Sequence, residues 1–266
     1  MRRHLIGITC LLAPLWLATC AAAEPAAPDT QPWTVTAAPY LWAARLDGDA
    51  RVGRIKADGD VSFKDTLENL GVAGMVLVEA RKGRFGFAVN PLFVRTESDA
   101  RSGPLAADNT TDIATIGAAV FYRAVELDLG RNHLGEPQTL SIEPLVGARL
   151  NYLRGEIDTR LDAGGRRASR QVDESQTWVD PLVGVNAILR LSEHWGVRAE
   201  ADIGGFGVGS DLTWNAQAVL TYGFTVAGFD AFAAAGYRAL YWDYQDGGFE
   251  WDVTMSGPML GAGLRF

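Results

Sequence analysis

From residue 72 onward, apolar and polar positions alternate with a period of two, and helical periodicity is nearly absent. Between Asp211 and Val226, Leu212, Trp214, Ala216, Ala218, Leu220, Tyr222, Phe224 and Val226 share one parity, and Thr213, Asn215, Gln217 and Thr221 the other. Segment 195–208 sets Trp195, Val197, Ala199, Ala201 and Ile203 against Arg198, Glu200 and Asp202. In 139–154, Leu140, Ile142, Pro144, Val146, Ala148 and Leu150 oppose Ser141, Glu143, Arg149 and Asn151; Val179, Val183, Val185 and Leu189 likewise oppose Asp180, Asn186 and Arg190.

The alternation predicts ten strands, over 33–46, 72–81, 85–96, 111–126, 139–154, 174–191, 195–208, 211–226, 229–244 and 250–266. At about 10 to 16 residues they exceed the ~5–6 usual in soluble sheets and suit the ~9–11 of a tilted membrane crossing. Aromatics gather near strand ends, Trp195, Tyr222, Phe224 and Phe229 at one set of turns and Trp42, Trp214, Tyr241 and Trp251 near the other, as in interfacial girdles. The expected fold is therefore all-β: a closed antiparallel up-and-down transmembrane β-barrel over 33–266 with the greasy parity facing lipid. A soluble β-sandwich is the competing reading. Gly53 and the alternation from Arg51 to Asp58 leave room for another hairpin, so eight or twelve strands stay open.

An even strand count puts both ends of the barrel segment on one side, expected to be the periplasm. The tight turns Lys82-Gly83-Arg84, Ser192-Glu193-His194 and Ala227-Gly228 fall there, and the longer connections 47–71, 97–110 and 155–173 fall outside the cell. Segment 127–138 is the exception, a long connection on the periplasmic side. Within 47–71, Phe63, Leu67 and Leu70 recur at helical spacing behind Ser62, which predicts a short amphipathic helix over 62–70.

The N-terminus supplies the expected address. Arg2 and Arg3, an apolar run from Leu5 to Ala18, and Ala21-Ala22-Ala23 read as a secretory signal peptide over 1–23, followed by a Pro-rich linker at 24–32. Cys10 and Cys20 both lie in that signal, so the mature chain would hold no disulfide and no Cys-ligated metal. It would carry 22 Lys and Arg against 32 Asp and Glu, a charge of −10. No concentrated basic face points to nucleic acid. The mean hydropathy of +0.02 excludes a bundle of membrane helices.

Three stretches add a resemblance: Pro39-Tyr40-Leu41-Trp42-Ala43, Ser62-Phe63-Lys64-Asp65-Thr66-Leu67-Glu68-Asn69-Leu70, and Glu79-Ala80-Arg81-Lys82-Gly83-Arg84-Phe85-Gly86-Phe87. Strongest over residues 33–96, the chain resembles a family of proteobacterial outer-membrane β-barrel proteins of unestablished activity. The resemblance implies a barrel and carries over no catalytic or ligand residue. The final strand ends on Phe266, in parity with Leu264, Ala262 and Leu260; this resembles the terminal signature read by the outer-membrane barrel assembly machinery.

With apolar residues outward, the inward set includes Glu79, Arg81, Glu143, Arg149, Asp180, Arg190, Arg198, Glu200, Asp202 and Arg238. A ten-stranded bore is narrow, since ~8 strands already give an interior that side chains fill. Mixed charges are then expected to pair across it and hold it shut. The rival is a narrow pore for small ions or solutes lined by Arg149, Arg198, Glu200 and Asp202. Gly257, Gly261 and Gly263 share the inward parity of the last strand and leave space for neighbours such as Tyr40 or Trp42.

Catalytic and metal chemistry find little support. His4 departs with the signal, and His133 and His194 fall in connections expected in the periplasm, away from where outer-membrane hydrolases act. A hydrolase using carboxylates is the third reading. Asp58-Gly59-Asp60 lacks the glycine and terminal glutamate of a calcium loop, so no metal or cofactor is expected. Arg160, Arg166, Arg167 and Arg170 in 155–173 are candidates to grip lipopolysaccharide phosphates. The sequence reading is a monomeric, non-enzymatic outer-membrane barrel whose partners are membrane lipid, lipopolysaccharide and the assembly machinery.

Overall fold

The structure, a computed structural model, describes residues 31–52, 55–61, 70–102, 105–163 and 166–266. The signal-peptide segment lies outside these residues, as does the expected 62–70 helix except for Leu70, which begins a strand. The strands are β1 (Thr34–Trp42), β2 (Arg45–Val52), β3 (Ile55–Val61), β4 (Leu70–Lys82), β5 (Phe85–Ser102), β6 (Leu105–Tyr122), β7 (Val125–Arg131), β8 (Pro137–Ala163), β9 (Arg166–Arg190), β10 (Trp195–Gly205), β11 (Leu212–Val226), β12 (Phe229–Asp246) and β13 (Phe249–Arg265).

Ten of them form a closed antiparallel ring in the order β1-β4-β5-β6-β8-β9-β10-β11-β12-β13, and β13 returns to β1. Closure runs through Thr36 opposite Arg265 and Tyr40 opposite Gly261. Beside them Val35 and Phe266 exchange both backbone hydrogen bonds, at 3.0 and 2.8 Å. The remaining strands prolong lanes of this ring. β2 follows β1 along β13, from Ser256 opposite Arg45 to Phe249 opposite Val52. At the break between them the Ala43 N–H donates to the Pro258 carbonyl at 2.9 Å. β7 similarly follows β6 along β8.

The expected connections are largely β-structure. β2 and β3 pair as a hairpin within 47–71, β5 and β6 stay paired from Phe85–Tyr122 to Ser102–Leu105, and β8 and β9 from Thr139–Arg190 to Ala163–Arg166. Segments 97–110 and 155–173 are therefore hairpins rather than loops. The backbone ladder continues there and cross-strand ion pairs support it: Arg154 Nε and Nη2 bind the two carboxylate oxygens of Asp173 at 2.9 and 2.8 Å. That guanidinium holds the Asp173 carboxyl below the usual carboxylate range. The long 127–138 connection is also corrected. It contains β7 and a turn at 132–136, in which Asn132 Oδ1 accepts the Leu134 and Glu136 N–H groups at 2.9 and 3.0 Å.

Parity decides which face is which. Leu41, Val146, Val183, Ile203, Leu220, Tyr237 and Leu260 stand exposed on the outside, with Leu260 at 64%. Glu143 and Asp180, on the opposite parity, are fully buried. Water-soluble proteins show the reverse. At one end, hereafter the turn end, lie Thr34, Phe266 and the tight turns 83–84, 191–194 and 227–228. There Trp195 packs on Tyr222 at 4.9 Å between ring centroids, Phe85 on Tyr122 at 4.8 Å and Phe229 on Phe266 at 6.1 Å. Toward the other end, the hairpin end, Trp214 and Tyr241 stack on the outer parity at 6.0 Å. Trp42 and Trp251, expected in the same girdle, are instead buried inside, because their parity runs with Tyr40 and Val253.

A membrane-facing exterior sets the cost of a charge there. Replacing Val183, exposed at mid-strand in β9, with Arg is expected to destabilise the barrel by about 2–4 kcal/mol in lipid. Exposed positions of soluble sheets usually change by less than about 0.5 kcal/mol. Urea titration of V183R and the parent in lipid vesicles measures the difference.

Candidate functional site

The bore is built from the polar parity, and its contents change with depth. Nearest the turn end, Glu79 on β4 accepts from Arg81 on its own strand and from Arg198 on β10, the latter at 2.6 Å. Glu143 on β8 accepts from Arg81 at 2.7 Å and from Arg123 at 3.2 Å. Arg198 also approaches Glu200, at 3.6 Å. Arg81 lies over the Phe121 ring, 4.4 Å from its centroid, and that ring occupies the space above Gly86 where any side chain would collide with it. Two buried acceptors in this layer have no hydrogen-bond partner among the described residues, Glu143 Oε2 and Asn186 Oδ1; their residues face each other across β8 and β9.

The next layer is a continuous chain of hydrogen bonds. Arg149 donates to Asp202 at 2.7 Å and to Thr213 at 3.0 Å. Asn215 donates to Asp202 at 2.9 Å and accepts from Arg238 at 2.8 Å. Arg238 also reaches the Tyr40 hydroxyl at 3.2 Å, which donates to Asn90 at 2.8 Å. Higher still, Asp180 accepts from Asn151 at 2.7 Å, from the Trp178 indole at 3.1 Å and from the Ser210 N–H at 2.7 Å. The β10–β11 connection is thereby drawn against Asp180, and its Phe206 and Gly207 both take positive φ, 52° and 71°.

Above Asp180 the bore turns apolar. Trp42, Trp178, Leu240, Trp242, Tyr244, Phe249, Trp251, Val253 and Met255 form one buried cluster at the hairpin end. Trp178 stacks on Tyr244 at 4.1 Å and 11°. The Trp242 indole donates down to Asn151 at 3.1 Å, so this cluster is anchored to the polar network below it. Arg238 lies 4.9 Å from the centroid of the Trp42 ring and joins the two from the other side.

At the turn end, a cavity of ≈590 Å³ reaches from the mouth up to Tyr40, Asn90 and Arg198.

Of the ten inward residues read from the sequence, Glu79, Arg81, Glu143, Arg149, Arg198, Glu200 and Asp202 join the ion-paired layers. Asp180 is held by uncharged donors, and Arg238 by Asn215, Tyr40 and the Trp42 face. Arg190 departs from the expected pairing: it is exposed and borders the cavity with no carboxylate partner among the described residues. Asn151, Asn186 and Asn215 were visible on the same polar parity, although only charged residues were singled out there. Arg123 gave no such signal, because it stands at the irregularity between β6 and β7 where alternation breaks.

Arg160 pairs with Asp108 at 3.3 Å, with both side chains well exposed. Arg166, Arg167 and Arg170 lie on β9 opposite Ala163, Asp162 and Thr159, in the outer part of the β8–β9 hairpin. His133 and His194 both occupy turns at the turn end, and the His194 ring contacts the Gly223 carbonyl at 3.0 Å. Among the described residues no three His, Cys, Asp or Glu side chains group as a metal site.

Closure, an even strand count, an apolar exterior and a polar interior define the chain as an outer-membrane-type β-barrel. No family model matches the chain, and no curated protein does. Among solved structures it is similar to Ail, the attachment invasion locus protein of Yersinia pestis, at 14% identity over 89% of this chain and 99% of that one, with a TM-score of 0.31. It is similar to Neisserial surface protein A at 15% identity over 88% and 97%, TM-score 0.33. A FadL homologue of Pseudomonas aeruginosa matches at 10% identity over 88% and 89%, TM-score 0.26. Likeness this low carries no argument; the class rests on the ring itself.

The interior pairs set a stability difference that can be measured. Glu79→Ala leaves the part-buried guanidinium of Arg198 without its main partner and is expected to cost about 2–4 kcal/mol, toward the lower side of a fully buried pair. Glu250→Ala removes the partly exposed pair with Arg51 and is expected to cost less than about 1 kcal/mol. Urea unfolding of both variants in lipid vesicles checks the contrast.

Proposed function

We propose that this protein is a monomeric, non-enzymatic barrel of the Gram-negative outer membrane with a closed lumen. The turn end faces the periplasm, and the long hairpins face the exterior, where they contact lipopolysaccharide or a partner. The observation that carries this reading is the filled bore: charged residues are joined by short hydrogen bonds, and the aromatic cluster from Trp42 to Met255 lies above them. An open channel usually needs ~16–18 strands, and a layer of buried indoles offers a hydrated ion no ligands.

Several parts belong to the same proposal. The signal peptide over 1–23 directs export, and Phe266 serves the assembly machinery. Arg160, Arg166, Arg167 and Arg170 sit on the longest hairpin, where guanidinium forks suit phosphate groups of lipopolysaccharide. A second reading, a gated narrow pore, is favoured by one observation: the turn-end cavity already covers part of the path and ends against Tyr40 and Arg198.

Planar-bilayer recording separates the two. The purified protein is expected to give no reproducible unitary steps, and a variant with Trp42 and Trp242 of the apolar layer and Arg149 and Arg238 of the chain beneath it all replaced by Ala is expected to give them. Steady unitary conductance from the unaltered protein overturns the closed reading in favour of the pore.

A further inference from the structure

The turn-end half of the bore is filled unevenly. β1, β12 and β13 intersperse small inward residues, Thr36, Ala38, Ala234 and Gly261, with Phe232, Met259 and Arg265, whereas β4, β9 and β10 present Glu79, Arg81, Arg190 and Arg198. The space left between the two walls is the ≈590 Å³ cavity, within the ~300–1,000 Å³ of small-molecule sites. It is blind, because the Arg149–Asp202–Asn215–Arg238 chain and the aromatic cluster lie above it.

Its charge is one-sided. The carboxylate on its wall, Glu79, is already held by Arg81 and Arg198, and Arg123 turns to Glu143. Glu193 at the mouth is the other acid bordering the space. Arg190 and Arg265 border it with no carboxylate partner among the described residues, Arg265 lying 5.2 Å from the Phe232 ring centroid. Arg190 stands opposite Gly196, two residues from Arg198 on the neighbouring strand, so the two guanidinium stems start about 7–8 Å apart on one face. Gly196 puts no side chain between them, and the Thr221 hydroxyl, which donates to the Gly196 carbonyl at 3.2 Å, stands beside it. Leu77, Val219, Phe232 and Met259 supply apolar surface beside these cations.

We propose that this cavity is a binding site for a small organic anion, a carboxylate or phosphate on a compact apolar body, entering from the turn end. The guanidinium of Arg190, with Arg198 beside it, takes the anionic head as a planar fork, and the apolar wall takes the body. The proposal goes beyond the closed-barrel reading and does not depend on it: a barrel that gives no conductance and ignores organic anions overturns this site alone, and one that conducts and binds them overturns the closed reading alone.

The test is calorimetric titration of the full chain, folded in non-ionic detergent, with benzoate and phenyl phosphate as probes and benzylamine and benzyl alcohol as controls. Saturable binding of an anion is expected, with neither control competing; the tighter of the two probes identifies the head group. Arg190→Gln is expected to weaken binding at least tenfold, Arg190→Lys less, and Arg45→Gln at the hairpin end not at all. Thr36→Trp, which fills the cavity from the opposite wall, is expected to abolish binding and serves if the Arg190 variants fail to fold, as judged by heat-modifiable gel migration. Absence of saturable binding by either anion, equal binding of benzylamine, or unchanged affinity in folded R190Q or T36W overturns the proposal.

Discussion

Every backbone N–H and C=O within a hydrocarbon layer needs a partner from the protein, since each unpaired group costs several kcal/mol and water is absent. A sheet meets that demand only by closing. Here closure depends on a short contact, β1 against β13 from Thr36–Arg265 to Trp42–Met259, because β1 stops there and β2 takes over its lane. The double hydrogen bond between Val35 and Phe266 completes that contact at its lower edge.

The same constraint inverts the usual placement of side chains. Alternation puts every second residue toward lipid, where valines, leucines and aromatics lower the free energy, and leaves the others to share a narrow interior. Charges confined there are costly unless matched. The interior answers by depth: ion pairs around Glu79 and Glu143, then an amide and hydroxyl chain through Asn215 and Tyr40, then an aromatic layer in which the Trp242 and Trp178 indoles donate back to Asn151 and Asp180. Each layer supplies partners to the next, so a change at one level propagates along the axis. The small residues on β1, β12 and β13 are where this filling stops and a cavity begins.

Much of this was legible in the sequence because a period of two is a local property. The ten lanes, the inward position of Glu143 or Asp202 and the outward position of Val146 or Leu220 follow from parity once the polar face is assigned to the bore. Partners were not legible, since Arg198 meets Glu79 across a separation of 119 residues that only barrel closure brings together. Positions beside irregularities were also hidden: Arg123 lies where β6 gives way to β7, and Trp42 lies next to the break at Ala43. The hairpins at 97–110 and 155–173 looked like loops because their apolar parity weakens outside the belt, although cross-strand pairs such as Arg154–Asp173 sustain the ladder.

The most direct measurement is oxygen accessibility of nitroxide labels placed one at a time along residues 213–222 of β11 in a reconstituted bilayer. Accessibility to the lipid-soluble relaxant should peak at 214, 216, 218, 220 and 222 and fall at the positions between, as for a strand with one side in hydrocarbon. Uniformly low values, or peaks at 213, 215, 217 and 219, would contradict a barrel whose oily face meets lipid.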